Sequence, residues 1–284
     1  MIKVHDLHFS YPGNPSETLL GLNFDVCDGE VFGFLGPSGA GKSTTQKLLI
    51  GILRKYSGSI TVNNFDLGVL TSDFYEHIGV AFETPNLYSK FTALENLTFF
   101  SHFYTATTRN AEDLLETVGL LDARDTRVSE FSKGMKVRLN FCRSLLNNPK
   151  LLFLDEPTSG LDPVNLRKVM DLIRTEQAQG TTVCITTHDM HVADGLCDRV
   201  AFIVDGQIKL IDSPRELKLQ HGERCIDVEY QGPDGLQKIT FLMDGLAKNS
   251  EFQNVLKSES LETLHSREAS LEDVFVKTTG RQLQ

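Results

Sequence analysis

No stretch of this 284-residue chain is apolar enough to cross a bilayer. The longest run free of Asp, Glu, Lys and Arg is 96–108, thirteen residues with many polar members, whereas a spanning helix needs about 20 apolar residues. The chain therefore cannot cross a membrane by itself, although it can dock on something that does. Positive charge is also scarce: Lys and Arg total 28 against 38 Asp and Glu, for a net charge of −10 and a pI near 5.3. Such a balance disfavours a polyanion held by bulk charge and leaves open only a local basic patch; no nucleic-acid partner is expected. Paired cysteines are absent too. The count is five, an odd number, and none form C-x-x-C. Isolated small apolar residues in a reducing compartment fit that usage, and a disulfide framework does not. The opening MIKVHDLHF lacks the apolar core of a signal peptide. No internal repeat or low-complexity tract occurs. What remains is an ordinary globular composition, 40% hydrophobic and 23% charged, long enough for one large domain or a domain with an appendage.

Periodicity organises that chain. IKVHDLHF alternates as a strand does, a turn follows at Pro12-Gly13-Asn14, and a second strand lies around 20–26. EVFGFL (30–35) reads as a buried strand running into GPSGAGKST and then a short helix stopped by Gly51. SITVNN and IGVAFE read as further strands. Over about 86–149 the pattern becomes helical, with apolar residues three and four apart in AEDLLETVGLL and KVRLNFCRSLLNN. Strands return at KLLFLDE and TTVCITTH around a helix near 164–179, and RVAFIVDGQIKLI reads as a hairpin turning at Asp205-Gly206. Strands alternating with helices predict an α/β fold with a mostly parallel sheet covered on both faces. SPREL (213–217) predicts a helix start, with Ser213 as cap, Pro214 at the first helical position and Glu216 completing a capping box. We place one domain at 1–212 and a small α+β accessory region at 213–284, with strand-like CIDVEY and KITFLM and a helical ASLEDVFVKTTG.

Two motifs carry chemistry. GPSGAGKS (36–43) matches G-x-x-x-x-G-K-[ST]. In such a loop the backbone of Gly36, Pro37, Ser38, Gly39, Ala40 and Gly41 curls so that N–H groups point at phosphates, and the following helix presents its positive end. Lys42 reaches the terminal phosphates, and the Ser43 hydroxyl, with Thr44 beside it, faces the metal side. KLLFLDEP (150–157) is the second motif: a buried strand delivers Asp155 and Glu156 at its exit. Adjacent carboxylates there divide the work of phosphoryl transfer, Asp155 toward Mg²⁺ and Glu156 toward the attacking water. Together they indicate a P-loop ATPase.

The remaining pattern narrows this. SKGM (132–135) lies 23 residues before Asp155, SGLD (159–162) follows Pro157-Thr158, His188 lies 33 residues beyond Asp155, and Tyr11 lies 25 before Gly36. With these residues the whole chain resembles the ATP-binding subunit of an ABC transporter, and SKGM together with Glu83 after IGVAF and the tail SLEDVFVKTTGR (270–281) resembles the ABC-2 exporter branch. The resemblance implies an ABC ATPase core: a mostly parallel sheet, an antiparallel β part at the N-terminus and a helical signature subdomain. It implies that ATP and Mg²⁺ bind there, that Tyr11 stacks on adenine and that His188 contacts the γ-phosphate. It implies that Asp162 communicates across a dimer, and that Ser132 and Gly134 complete the ATP site of the opposite subunit. The partners it implies are a second ATPase, identical or not, and separate transmembrane permease subunits, with the chain peripheral on the cytoplasmic face of the cell membrane. An importer ATPase is the near alternative. A soluble ABC-type ATPase acting on nucleic acid or ribosomes fits less well, since such proteins usually carry two cassettes, coiled-coil insertions or zinc cysteines.

Three positions depart from the family pattern. The signature reads F-S-K-G-M (131–135) where L-S-G-G-Q is usual, so Lys133 replaces a glycine and Met135 a glutamine that could donate an amide hydrogen bond. Lys133 either adds a cation near the opposite ATP or faces solvent. Glu83 stands where a Mg²⁺-sensing glutamine is usual, and a carboxylate remains a good hard-oxygen ligand. We expect Glu83→Ala to weaken both the Mg²⁺ dependence of ATP turnover and its coupling to transport. A Mg²⁺ titration of turnover that superimposes on the parent's, with transport intact, would remove Glu83 from the site.

Overall fold

The computed structural model describes residues 1–14, 16–232, 235–257 and 261–281. These form two compact units, Met1–Ile211 and a second beginning at Asp212. The first unit opens with β1 (Ile2–Phe9), β2 (Leu19–Val26) and β3 (Val31–Leu35), then α1 (Lys42–Leu49), β4 (Ser57–Val62), β5 (Phe65–Asp66) and β6 (Ile78–Ala81). Three helices follow, α2 (Ala93–Ser101), α3 (Ala111–Thr117) and α4 (Lys133–Ser144). Then come β7 (Leu151–Asp155), α5 (Pro163–Ala178), β8 (Thr182–Thr187), α6 (Met190–Leu196), β9 (Arg199–Val204) and β10 (Gln207–Asp212).

A six-stranded sheet in the order β10-β9-β3-β8-β7-β6 forms the centre. The pairs β9–β3, β3–β8, β8–β7 and β7–β6 are parallel, while β10 closes the edge through the expected hairpin. Its turn residues Asp205 and Gly206 both have positive φ, 50° and 70°, as a two-residue type I′ turn requires. Every residue of β3 and of β8 is buried. Successive strand side chains point to opposite faces, so helices and loops must cover both. A four-stranded antiparallel sheet, β2-β1-β4-β5, lies toward the N-terminus. The alternation of β1 slips at Asp6, where φ is +48° and the register shifts between Val4 and Leu7. A bulge of this kind leaves the apolar residues on either side facing the core.

The helices between β6 and β7 are keyed to the sheet by side-chain amides. Asn147 Nδ2 donates to the carbonyls of Glu76 and Ile78 at 3.0 and 2.9 Å, and Asn140 Nδ2 donates to Phe82 O at 2.9 Å. Gly79 in β6 makes the close approach possible, because a β-carbon there would stand 2.0 Å from Ser144 O.

The second unit contains α7 (Pro214–His221), β11 (Cys225–Gly232), β12 (Gly235–Leu242), α8 (Ser250–Lys257), β13 (Leu261–Arg267) and α9 (Leu271–Thr279). Its antiparallel sheet runs β12-β11-β13, and Ile226, Val228, Phe241, Phe252 and Val255 form its small core. Neither α8 nor β13 was legible as an element, since β13 buries almost nothing and shows no strand alternation. The capping box expected at Ser213 is half made. Ser213 Oγ accepts from Glu216 N at 3.2 Å, but the Ser213 N–H goes to Asp212 Oδ1 at 2.7 Å, which displaces Glu216 from the reciprocal bond. The box at Ser270 and Asp273 is complete. Leu271, Val274 and Phe275 of α9 are buried, and α9 packs on α7, so this apolar face is satisfied within its own unit.

Gly79→Ala should destabilise the first unit by about 1–3 kcal/mol, the usual cost of forcing carbon into a packed core. Urea unfolding of the two proteins measures it. An unchanged midpoint would mean that Ser144 can retreat freely.

Candidate functional site

The phosphate-binding loop starts where β3 ends. A β-carbon on Gly36 would stand 2.1 Å from the carbonyl oxygen of Ile203 in β9, so the chain must leave the sheet there without a side chain. Gly41 has φ +110° and caps α1, a conformation that L-residues rarely adopt. Ala40 is fixed from outside, its carbonyl accepting from Gly206 N at 3.1 Å. By helical geometry the first N–H groups of α1 have no partner inside the helix, and they open on a cavity of about 250 Å³. Ser38, Gly39, Gly41, Lys42, Ser43, Thr44, Glu83, Glu156 and His188 line it. Nine of the residues predicted from sequence thus meet at one place, from four separated segments.

Lys42 is 7% exposed. Its Nζ donates to Gly36 O at 2.6 Å and to Pro37 O at 3.1 Å, so the ammonium ties the two ends of the loop. Desolvation lowers its pKa, opposed by the nearby carboxylates of Glu156 and Asp155. Ser43 Oγ donates to Asp155 Oδ1 at 3.1 Å. Asp155 is not part of the cavity lining and reaches the site through that hydroxyl. Glu156 has φ +46°, and among the described residues it is the only residue other than Gly, Asp and Asn with a positive φ. That conformation costs about 1 kcal/mol or more for a residue with a β-carbon, and the surrounding bonds hold it. Glu156 N donates to Thr186 O at 3.0 Å and lies 3.2 Å from Thr186 Oγ1. Its Oε2 lies 3.0 Å from His188 Nδ1; the carboxylate is 12% exposed and the imidazole 49%. The pair is therefore a shielded carboxylate addressed by a histidine that faces the open side.

Thr186 was not singled out from sequence. It is fully buried in β8, and its hydroxyl also donates to Asp155 Oδ1. One hydroxyl thus touches both members of the Asp155–Glu156 pair. TTVCITTH shows a strand but not which of its threonines faces its neighbour, so only the pairing register identifies Thr186.

Tyr11 stands at the back of this loop. Its hydroxyl lies 3.1 Å from Thr44 Oγ1, and its ring meets Phe9 edge-on at 4.9 Å. Ser132, Gly134 and Asp162 are not in the cavity lining and form a second cluster. Ser132 caps α4, its Oγ accepting from Met135 N at 3.3 Å, so the position of Met135 is served by its backbone. A β-carbon on Gly134 would stand 2.9 Å from the Asn165 side chain; glycine there admits α5 of the same chain. Asp162 caps α5, with Oδ1 accepting from Val164 N and Asn165 N at 3.0 and 3.1 Å and Oδ2 accepting from Asn165 Nδ2. These bonds, the Asn165 side chain first, lower its pKa.

Whether the first cluster suits Mg²⁺ follows from its donors. Ser43, Asp155 and Glu83 offer only hard oxygens, as Mg²⁺ prefers. Among the described residues no group of three His, Cys, Asp or Glu side chains could hold a metal alone. A Mg²⁺ ion completed by nucleotide phosphates matches this sparse donor set.

The family model described as "ABC transporter" matches residues 19–159, and one described as "Fluoroquinolone efflux ABC transporter C-terminal domain" matches 224–268. The chain is 55% identical over 284 residues to the Fluoroquinolones export ATP-binding protein of Mycobacterium tuberculosis (strain ATCC 25618 / H37Rv), covering 100% of this chain and 94% of that protein. It is 36% identical over 281 residues to Nod factor export ATP-binding protein I of Rhizobium sp. (strain N33), covering 93% and 92%. A solved dimeric post-hydrolysis state of an ATP-binding cassette bound to ADP and Pi superposes with a TM-score of 0.68 at 27% identity, covering 75% of this chain and 98% of that one. The chain belongs to the ABC transporter family. Within that family it is an ATP-binding ATPase cassette.

Thr186→Val removes the shared hydroxyl while keeping the shape of the side chain. We expect ATP turnover to fall roughly 10- to 100-fold, the consequence of losing about 1–3 kcal/mol of support to charged groups. Circular dichroism should stay unchanged. Turnover at the parent rate would show that Asp155 and Glu156 hold their places without it.

Proposed function

We propose that this chain powers the export of small amphipathic compounds of the fluoroquinolone class through separate transmembrane subunits. The observation that carries the ATPase half is the convergence of Lys42, Ser43, Glu156 and His188 on one cavity, with Asp155 bonded to Ser43 beside it. The cargo class rests on the fluoroquinolone-export relative, aligned over all 284 residues, together with the efflux-type match at 224–268. No helix of the described residues is long and apolar enough to cross a membrane, so the path for cargo belongs to a partner. We place the chain against that partner on the cytoplasmic face of the cell membrane.

In this reading ATP lies on the loop 36–44 with its adenine against Tyr11, and Lys42 and the N-terminus of α1 hold its terminal phosphates. Ser43, Asp155 and Glu83 would hold Mg²⁺, which would supply charge neutralisation at those phosphates. Glu156 orients and deprotonates the attacking water, and His188 faces the γ-phosphate. Ser132 and Gly134 lie outside this cavity, and in the proposed dimer the start of α4 meets the nucleotide of the second cassette, with Asp162 at the same interface. ATP then holds two subunits together until hydrolysis releases them, and this cycle moves the membrane subunits.

Inverted membrane vesicles holding the chain and its co-purifying membrane subunit should accumulate a fluoroquinolone only with ATP. Glu156→Gln should bind ATP but turn it over about 10²–10⁴-fold more slowly, as for loss of a general base, and should abolish accumulation. Full turnover by that variant overturns the role of Glu156. Turnover without drug accumulation overturns the cargo class.

A further inference from the structure

We propose that Lys133 is an additional phosphate-contacting residue of the hydrolysis reaction, reaching the nucleotide held by the opposite subunit. The inference rests on the shared-nucleotide reading above and extends it to a residue where the family usually has glycine.

The side chain of Lys133 lies across the turn that follows Glu156. A β-carbon on Gly160 would stand 2.1 Å from Lys133 Nζ, 3.3 Å from Cε and 3.9 Å from Cδ. The bare backbone of Gly160 is therefore what gives the lysine its bed, and the stem is directed even though the residue is exposed. Among the described residues the ammonium takes part in no ion pair and no hydrogen bond. The first turn of α4 contains no acidic residue. Among the described residues the cation thus has no ion-pair partner in its own chain, while Ser132, one residue away, caps the same helix start.

An unpaired ammonium is harmless in water but costly inside an interface unless an anion meets it. Closing two cassettes over ATP would bury this end of α4. No acid on its first turn can neutralise Lys133, so the partner side must do so, and the anion that reading puts there is the γ-phosphate. A mobile ammonium is a sound point charge for a phosphate. It also replaces the donor lost where Met135 stands, by charge rather than by an amide. The lysine would act only when the dimer closes, because within the monomer it touches nothing anionic.

The test uses the full chain with Glu156→Gln, which keeps ATP unhydrolysed, and follows dimer formation by light scattering against Mg·ATP concentration. Lys133→Met keeps the stem on Gly160 and removes the charge; Lys133→Arg keeps a cation. We expect Lys133→Met to raise the ATP concentration for half-maximal dimerisation about 10- to 100-fold, the loss of one charge-assisted contact. Lys133→Arg should stay near the parent value, and ATP binding to dilute monomers should not change. Dimerisation of Lys133→Met at the parent ATP concentration overturns the role of Lys133 and leaves the shared nucleotide standing. If the Glu156→Gln chain itself stays monomeric at saturating Mg·ATP, the shared-nucleotide reading falls and Lys133 falls with it.

Discussion

The site depends on the parallel register of three neighbouring strands. Leu35, the last residue of β3, pairs with Thr187 of β8, and Asp155, the last residue of β7, pairs with Thr186 of β8. Because all three strands run the same way, their chain ends leave the sheet at one level and on one edge. The phosphate loop, the Asp155–Glu156 pair and His188 are therefore delivered together. Ligands in open α/β sheets bind at the carboxyl ends of the strands for this reason. A shift of one residue in β8 would turn Thr186 to the other face and take its hydroxyl from Asp155 Oδ1 and Glu156 N. Total burial of β3 and β8 makes such a slip expensive.

Around that edge, each chemical group is held by something that is not itself chemical. Asn140 and Asn147 bind α4 to the β6 side of the sheet. Gly134 lets α4 and α5 touch, and Asn165 links that contact to the Asp162 cap. The start of α4 and the turn after Glu156 are consequently parts of one packed cluster. In the proposed cycle, movement of the turn after Glu156 would pass to the start of α4 through this packing, a physical route from hydrolysis at one place to loosened grip at another.

Much of this was legible beforehand because it rests on local rules. G-x-x-x-x-G-K-S between an apolar strand and a helix has few other uses, and KLLFLDEP reads as a strand delivering carboxylates. Elements with strong periodicity, such as α5 and the β9–β10 hairpin, were equally plain. The short, exposed β13, the two-residue β5 and the half-made cap at Ser213 were not: β13 is decided by its distant partner β11, β5 is too short to show a period, and at Ser213 the adjacent Asp212 takes the N–H that the capping pattern gives to Glu216. Gly134 illustrates the difference: the family resemblance implies a place at the opposite ATP site, while only the fold shows that it also makes room for Asn165 of its own chain.

The sequence by itself determined the class of chemistry, because phosphate binding and water activation need particular side chains at particular spacings, and these are local facts. It also determined that no run of residues is apolar enough to span a bilayer and that the bulk charge is acidic, −10 at pH 7. Only the tertiary structure decided that the Thr186 hydroxyl bonds both the Asp155 carboxylate and the Glu156 backbone N–H, that Glu156 sits in a left-handed conformation facing His188, and that Lys133 lies on Gly160 with no ion-pair partner among the described residues. Those depend on strand register and helix packing, which join residues tens of positions apart, and no local pattern encodes which of two neighbouring threonines or glycines will meet.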